Sequence, residues 1–169
     1  TLEGGAIICH DEQMKTRIDR LKNFGNVDEV TICDAGINGK MSEVNAAFGL
    51  LQLKYIGEAL QKRKSVDELY RKQLRDIKGV TVVNKAAGLE SNYSYFPILI
   101  EEDYPLSRDE LYQKLKIENI FARRYFYPLI SDAEPFKKYP SAKESNLTIS
   151  QEIANQVLCL PIYPQLGEN

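Results

Sequence analysis

A run of apolar residues at helical spacing, from Met41 to Ile77, constrains this chain more than any other feature. Met41, Val44, Phe48, Leu51 and Tyr55 recur every three or four residues, and Val66, Leu69, Tyr70, Leu74 and Ile77 continue the period up to Gly79. The spacing predicts one long helix, bent near Gly57, with Ser42 or Asn38 near its start. A rod of this length is unusual within one globular domain and more often links two packing regions. Val44, Phe48 and Leu51 are expected on a buried side, and in this chain taken alone part of that face should be left exposed or self-associate. Ala46, Ala47 and Gly49 form a small-residue face that another backbone can approach closely.

The segments on either side have shorter periods. Ala6-Ile7-Ile8-Cys9 is expected as a buried strand, followed by a helix over about Glu12–Asn23 that Asp11 caps and Gly25 stops. Residues 26–39 lack a helical period and are expected as a loop, with a short strand at Val30–Ile32. After Gly79 the chain turns to strands. Val80–Val83 is β-branched, and Tyr93–Ile100 alternates before becoming continuously apolar, with Pro97 indicating an edge or a bulge. Ser107-Arg108-Asp109-Glu110 is a capping box that opens a helix with Leu111, Tyr112 and Leu115 on its buried stripe. A strand at Ile120–Ala122 and a helix at Thr148–Leu158 complete the pattern. The expected organisation is the tail of one domain over residues 1–40, a connecting helix over 41–78, and a small αβ domain over 79–169.

Composition removes several classes of function. The 169 residues carry 22 basic and 24 acidic side chains, a net charge of -2, so nucleic acid is a poor partner. Cys9, Cys33 and Cys159 are far apart, and His10 is the only histidine, so neither a structural zinc site nor a Ser-His-Asp or Cys-His centre can be assembled. The longest apolar runs fall far short of the ~20 residues of a membrane span. Thr1-Leu2-Glu3-Gly4-Gly5 has neither an initiator methionine nor a leader pattern. The chain is therefore expected to be cytoplasmic, off the membrane, and cut from a longer polypeptide.

Two constellations can carry chemistry. In Gly36-Ile37-Asn38-Gly39-Lys40-Met41-Ser42-Glu43, glycines bracket an amide beside a cation in a loop that opens a helix. Free N–H groups, an amide donor and an ammonium suit an anion such as phosphate. A glycine-rich turn with a solvated lysine fits the same residues, and on chemistry alone it is the preferred reading. In Arg123-Arg124-Tyr125-Phe126-Tyr127-Pro128, two arginines beside three aromatics can grip a phosphorylated, ring-containing ligand. A strand end whose arginines lie over core aromatics is an equally common outcome.

Taken in order, these segments resemble the DegT/DnrJ/EryC1/StrS family of PLP-dependent sugar aminotransferases. The likeness is carried by Glu3-Gly4-Gly5-Ala6-Ile7-Ile8, by Asn38-Gly39-Lys40-Met41-Ser42-Glu43 with Ala46-Ala47-Phe48-Gly49-Leu50-Leu51-Gln52-Leu53, by Arg124-Tyr125-Phe126-Tyr127-Pro128-Leu129, and by Leu160-Pro161-Ile162-Tyr163-Pro164. The resemblance implies an α/β fold of the fold-type I class: the end of the large PLP domain, a connecting helix and a small C-terminal α+β domain. It implies pyridoxal 5'-phosphate as cofactor, a homodimeric parent, and transfer of an amino group, from glutamate, to a keto group of a nucleotide-linked sugar in polysaccharide or amino-sugar biosynthesis. In the family the Schiff-base lysine lies just before the EGG strand. The resemblance thus places it upstream of Thr1, and this chain alone is expected to be inactive.

Asn38 matches an asparagine that reaches the PLP phosphate of the partner subunit. Lys40 matches a neighbouring basic position, usually arginine, and with Arg124 and Tyr125 is assigned by the resemblance to substrate binding. Many members have histidine where Arg124 and Ile130 stand here. The NGKMSE and RRYFYP variants are similar to those of members acting on dTDP-linked keto-deoxyhexoses. Two other readings remain at this point: a non-catalytic dimerisation module using the Met41–Leu53 face, and a relative that uses PLP for sugar dehydration.

Overall fold

The computed structural model describes residues 1–86 and 88–167. The chain divides into two units, Thr1–Gly57 and Glu58–Asn169.

The first unit contains α1 (Glu12–Leu21) and α2 (Glu43–Leu53). Asp11 caps α1 by accepting from the Met14 N–H at 2.6 Å, as its place before the apolar period implies. Ser42 caps α2 by accepting from the Asn45 N–H at 3.2 Å. Ala6–Cys9 does not form the expected strand: no described segment pairs with it, and Ile7 and Ile8 are exposed. A strand's N–H and C=O groups need a neighbour, and apolar character alone does not supply one. Val30–Ile32 is likewise no strand. Asp28 Oδ1 accepts from the N–H groups of Val30 and Thr31 at 3.0 and 2.8 Å, closing a turn that leaves only an isolated bridge between Asn26 and Ile32.

The single long helix is also corrected. The chain makes α2 and then α3 (Ile56–Leu74), separated by Lys54-Tyr55. There Lys54 N–H bonds Leu51 C=O and Tyr55 N–H bonds Gln52 C=O, so the ladder tightens from i−4 to i−3 and ends α2 before Gly57. Val44, Phe48 and Leu51, expected on a buried side, are exposed at 78%, 43% and 45%. α2 is apolar nearly all round, with Leu50 and Leu53 exposed as well, and no described element of the first unit covers Val44, Phe48 and Leu51.

The second unit has a true core. β1 (Val80–Val82), β2 (Phe96–Ile100) and β3 (Val157–Leu160) form an antiparallel sheet in the order β1-β2-β3. Alternation on β2 sends Phe96, Ile98 and Ile100 to one face, where they meet Leu158 and Ala122. Tyr70 and Leu74 of α3 pack on this cluster, as do Leu111, Tyr112 and Leu115 of α4 (Arg108–Ile117). Each large apolar side chain buried there contributes about 1.5–3 kcal/mol.

Pro97, expected at an edge or bulge, lies in the middle strand. β1 stops opposite Ile98, so at Pro97 the sheet is paired only with Cys159 on β3 and the strand is locally an edge. The helix expected to reach Leu158 ends sooner: α5 spans Thr148–Gln156, and Val157 begins β3 directly. Ile120–Ala122 is not a strand. Instead Arg123 and Cys159 exchange both backbone hydrogen bonds, at 2.9 and 2.7 Å, as an isolated bridge.

A buried carboxylate and an exposed capping box fix the helices. Asp67 on α3 is paired with Arg71 at 2.9 Å and with Lys85, beyond β1, at 2.7 Å. On α4 the capping box is complete, with Ser107 and Glu110 each accepting from the other's backbone N–H. Hydrogen bonds from the Ser107 backbone and hydroxyl hold the Glu110 carboxyl below its usual range. That contribution is present above the ordinary glutamate pKa and is lost as pH falls through the depressed value.

Leu158→Ala should cost about 2–5 kcal/mol of stability in urea unfolding, because its side chain is fully enclosed. Val44→Ala should move the midpoint by no more than about 0.5 kcal/mol equivalent. Equal losses from the two would contradict this assignment of the core.

Candidate functional site

Each unit carries one of the two constellations. In the first, the glycine-rich loop is bonded along the C-terminal end of α1. Ile37 N–H donates to Leu21 C=O and Gly39 N–H to Lys22 C=O, both at 2.8 Å, while Phe24 N–H donates to Ile37 C=O at 3.0 Å. Two glycines make the approach possible. A Cβ on Gly25, whose φ is +83°, would collide with the Asp34 carbonyl, and one on Gly36 would meet the Gly25 nitrogen and the Leu21 oxygen. The loop is thereby fixed, and Asn38 and Lys40 both project into solvent.

Lys40 Nζ lies 4.2 Å above the Phe24 ring centre and 3.3 Å from Asn23 Oδ1. The Asn38 amide has no hydrogen-bond partner among the described residues. An ammonium and a free amide on a rigid loop form a donor set suited to a phosphate oxygen.

The second constellation surrounds Arg124 and Tyr125. Arg124 Nη1 donates to Asp109 Oδ1 at 3.0 Å, and its guanidinium faces the rings of Tyr112 at 4.7 Å and Tyr127 at 5.4 Å. Arg108, whose side chain is only 3% exposed, places Nε 2.8 Å from the same Asp109 oxygen, although the N–H is not aligned for a hydrogen bond. Its Nη1 donates to the carbonyls of Ala154 and Val157, and it faces Tyr127 at 4.6 Å. Arg123 Nη1 donates to the Tyr125 hydroxyl at 2.7 Å, and Tyr125 packs edge-on to Tyr95 and against Phe126. Of these residues, Tyr112 and the Arg123–Tyr127 segment line an open cleft of about 540 Å³, with Phe121 and Pro128 among its other walls. A somewhat larger depression of about 690 Å³ along α1, lined by residues such as Asp11, Arg17 and Arg20, contains no motif residue.

Arg124 and Tyr125 thus meet in one cleft, with aromatic walls and cationic donors matching a ring-bearing anion. Sequence reasoning missed Arg108 and Asp109 as parts of this cluster. They were legible only as the first turn of a capped helix, and nothing local announces a partner fifteen residues on. Burial pushes the Cys159 thiol up despite a hydrogen bond from the Tyr125 backbone, which disfavours the reactive thiolate. The described residues contain no cluster of metal-ligating side chains and no helix long and apolar enough to cross a membrane.

A family model described as the DegT/DnrJ/EryC1/StrS aminotransferase family matches residues 1–169. A dTDP-4-amino-4,6-dideoxy-D-glucose transaminase from Escherichia coli is 54% identical over 166 residues, covering 98% of this chain and 45% of that protein. Its namesake from Shigella dysenteriae is 53% identical, covering 100% and 46%. The chain therefore spans about half the length of these curated relatives. Among solved structures, DesI, described in the presence of its TDP-sugar product, aligns with TM-score 0.81 and 32% identity, over 93% of this chain and 40% of that one. DesV from S. venezuelae aligns with TM-score 0.84 over 94% and 41%, and at 23% identity it supports the fold alone.

Burial tends to raise the Asp109 pKa, but the hydrogen bond from Arg124 and the charges of Arg108 and Arg124 outweigh it and hold the carboxyl below its usual range. Arg124→Ala should therefore raise the Asp109 pKa, measured by NMR titration of the side-chain carboxyl. The pairing stabilises the fold above the ordinary aspartate pKa, about 3.9, and is lost as pH falls through the depressed one. An unmoved titration would show that Arg124 does not act on Asp109 in solution.

Proposed function

We propose, from the premise that this chain belongs to the DegT/DnrJ/EryC1/StrS aminotransferase family, that it is the C-terminal part of a sugar aminotransferase. The parent would move an amino group from glutamate to the 4-keto group of a dTDP-linked 4-keto-6-deoxyhexose. The carrying observation is identity of 53–54% to two named dTDP-sugar transaminases over 98–100% of the chain. That similarity favours amino transfer over both the non-catalytic module and the sugar dehydratase. The organisation proposed is the tail of the large domain over residues 1–40, a connecting segment over 41–78 and the small domain over 79–169. The parent is proposed to be a cytoplasmic homodimer, and the uncovered apolar face of α2 supports an interface in it.

Pyridoxal 5'-phosphate is the proposed cofactor, and when bound it supplies the electron sink on which amino transfer depends. The residues present fit one end of it. Asn38 would donate its amide to a phosphate oxygen, and Lys40 would add positive charge from the same rigid loop. In the second unit, Arg124 has donors left after its bond to Asp109, and with Tyr125 it would hold the nucleotide-linked sugar. The anchoring amine is not proposed among Lys15, Lys22 or Lys40. A nucleophilic amine must lose its proton, but Lys15 and Lys22 each lie 2.6 Å from Asp19. Their hydrogen bonds lower the Asp19 pKa to about 2, and the bond to Asp19 raises that of Lys15. All three amines also lie on the surface.

The direct test is amino transfer by the full-length protein, with glutamate and the dTDP-linked ketosugar as substrates; no product would reject the reading. Borohydride reduction followed by peptide mapping should find PLP on none of Lys15, Lys22 and Lys40. Asn38→Ala in the full-length dimer should weaken PLP retention by about 1–3 kcal/mol, the loss of one hydrogen bond to a charged group. PLP titration into apoenzymes of matched stability measures it, and equal dissociation constants would reduce Asn38 to a turn residue.

A further inference from the structure

We propose that Asp109 is a positioning residue, which orients the Arg124 guanidinium toward an anionic substrate group in the cleft beside Tyr112 and Tyr127. The proposal rests on the reading of Arg124 as a substrate-binding residue. Asp109 stands in the first turn of α4, where an acidic side chain commonly serves the helix alone. Here its Oδ1 does more, since it lies 2.8 Å from Arg108 Nε and 3.0 Å from Arg124 Nη1. The two arginines are unequal. Arg108 is almost fully enclosed and fixed by two carbonyls, whereas Arg124 is a third exposed at the cleft. Asp109 therefore stands between an enclosed arginine and a solvent-facing one.

The rings of Tyr112 and Tyr127 hold the Arg124 guanidinium at 4.7 and 5.4 Å but offer no directional partner for its N–H groups. The directional contact is the hydrogen bond from Nη1 to Asp109. Of the five guanidinium donors, Asp109 takes one, which leaves the others for an anion. Removing the carboxylate has opposing effects: it frees positive charge, which tightens anion binding, and it frees the rotamer, which weakens it. Asp109 is 54% exposed, so solvent screens its charge and the loss of orientation should prevail.

The test uses the full-length protein carrying Asp109→Ala, Asp109→Asn, Arg124→Ala and the Ala double variant. Two probes are titrated calorimetrically: dTDP for a diphosphate source and glutarate for a carboxylate source. Asp109→Ala should weaken one probe about 3- to 10-fold, the range expected for ordering one long side chain. Asp109→Asn, which keeps an oxygen acceptor, should recover most of that loss. In the Arg124→Ala background, removing Asp109 should cost less than about twofold, because the two residues act as one unit. The probe that responds identifies the anion.

Tighter binding by Asp109→Ala would mean that the carboxylate merely competes for Arg124, and would overturn the proposal. Equal loss in both backgrounds, the outcome of a purely structural role, would overturn it as well. If Arg124→Ala alone weakens binding, the reading of Arg124 survives and only the positioning role falls. If Arg124→Ala leaves both probes unchanged, both fall. Asp109→Ser replaces the alanine variant if melting shows that the latter does not fold.

Discussion

One buried arginine organises the second unit. Where α5 ends and β3 begins, the carbonyls of Ala154 and Val157 lie inside the protein with no helical partner downstream, and Arg108 satisfies both. A neutral side chain of the same volume would leave two buried acceptors unpaired, each costing about 1–3 kcal/mol. Because Arg108 is also the first residue of α4, the same bonds join the start of one helix to the end of another. Its face against Tyr127 and its contact with Asp109 carry that order outward to the cleft. The architecture of the cleft thus begins at a charge that is itself almost invisible to solvent.

The two units are stabilised by different means. The first relies on caps and on backbone bonds between the end of α1 and the glycine loop, and Gly25 is the residue closest to an interior there. The second has a continuous apolar cluster around Phe96 and Leu158, clamped at one side by the Asp67 carboxylate and its two cations. A buried carboxylate paired twice contributes little net stability, but it strongly disfavours arrangements that would leave it unpaired. The clamp therefore selects one seating of α3 on the sheet.

Features written in local chemistry were legible in advance. The Asp11 cap, the Ser107 box and the strand expected over Tyr93–Ile100 each need only a few neighbouring residues; the first two appear where expected, and the strand does so from Phe96 onward. The motif blocks around Asn38, Arg124 and Leu160 identified the family, a relationship that periodicity alone could not reveal. Local signals failed where long-range partners decide. Ile7 and Ile8 look like a strand, yet no described segment pairs with them. Val157 and Leu158 continue a helical period, yet β2 draws them into the sheet. The α2–α3 break falls at Lys54-Tyr55, which carry no helix-breaking chemistry, rather than at Gly57, which does. In the cleft, Arg124 and Tyr125 were visible as a motif, but Asp109 was not, because its partner lies across the fold.

The direct passage from Gln156 to Val157 limits how this protein can vary. Most helices and strands are separated by a connection that can absorb an extra residue, but α5 and β3 share a junction with none to spare. A single insertion or deletion there would flip every side chain of β3 to the opposite face of the sheet. Leu158 would leave the core, and the Arg123–Cys159 exchange that tethers the cleft-forming segment would slip out of step. Length changes in related sequences should therefore collect in the irregular stretch over residues 130–147. The α5–β3 corner should keep constant length even where its residues diverge.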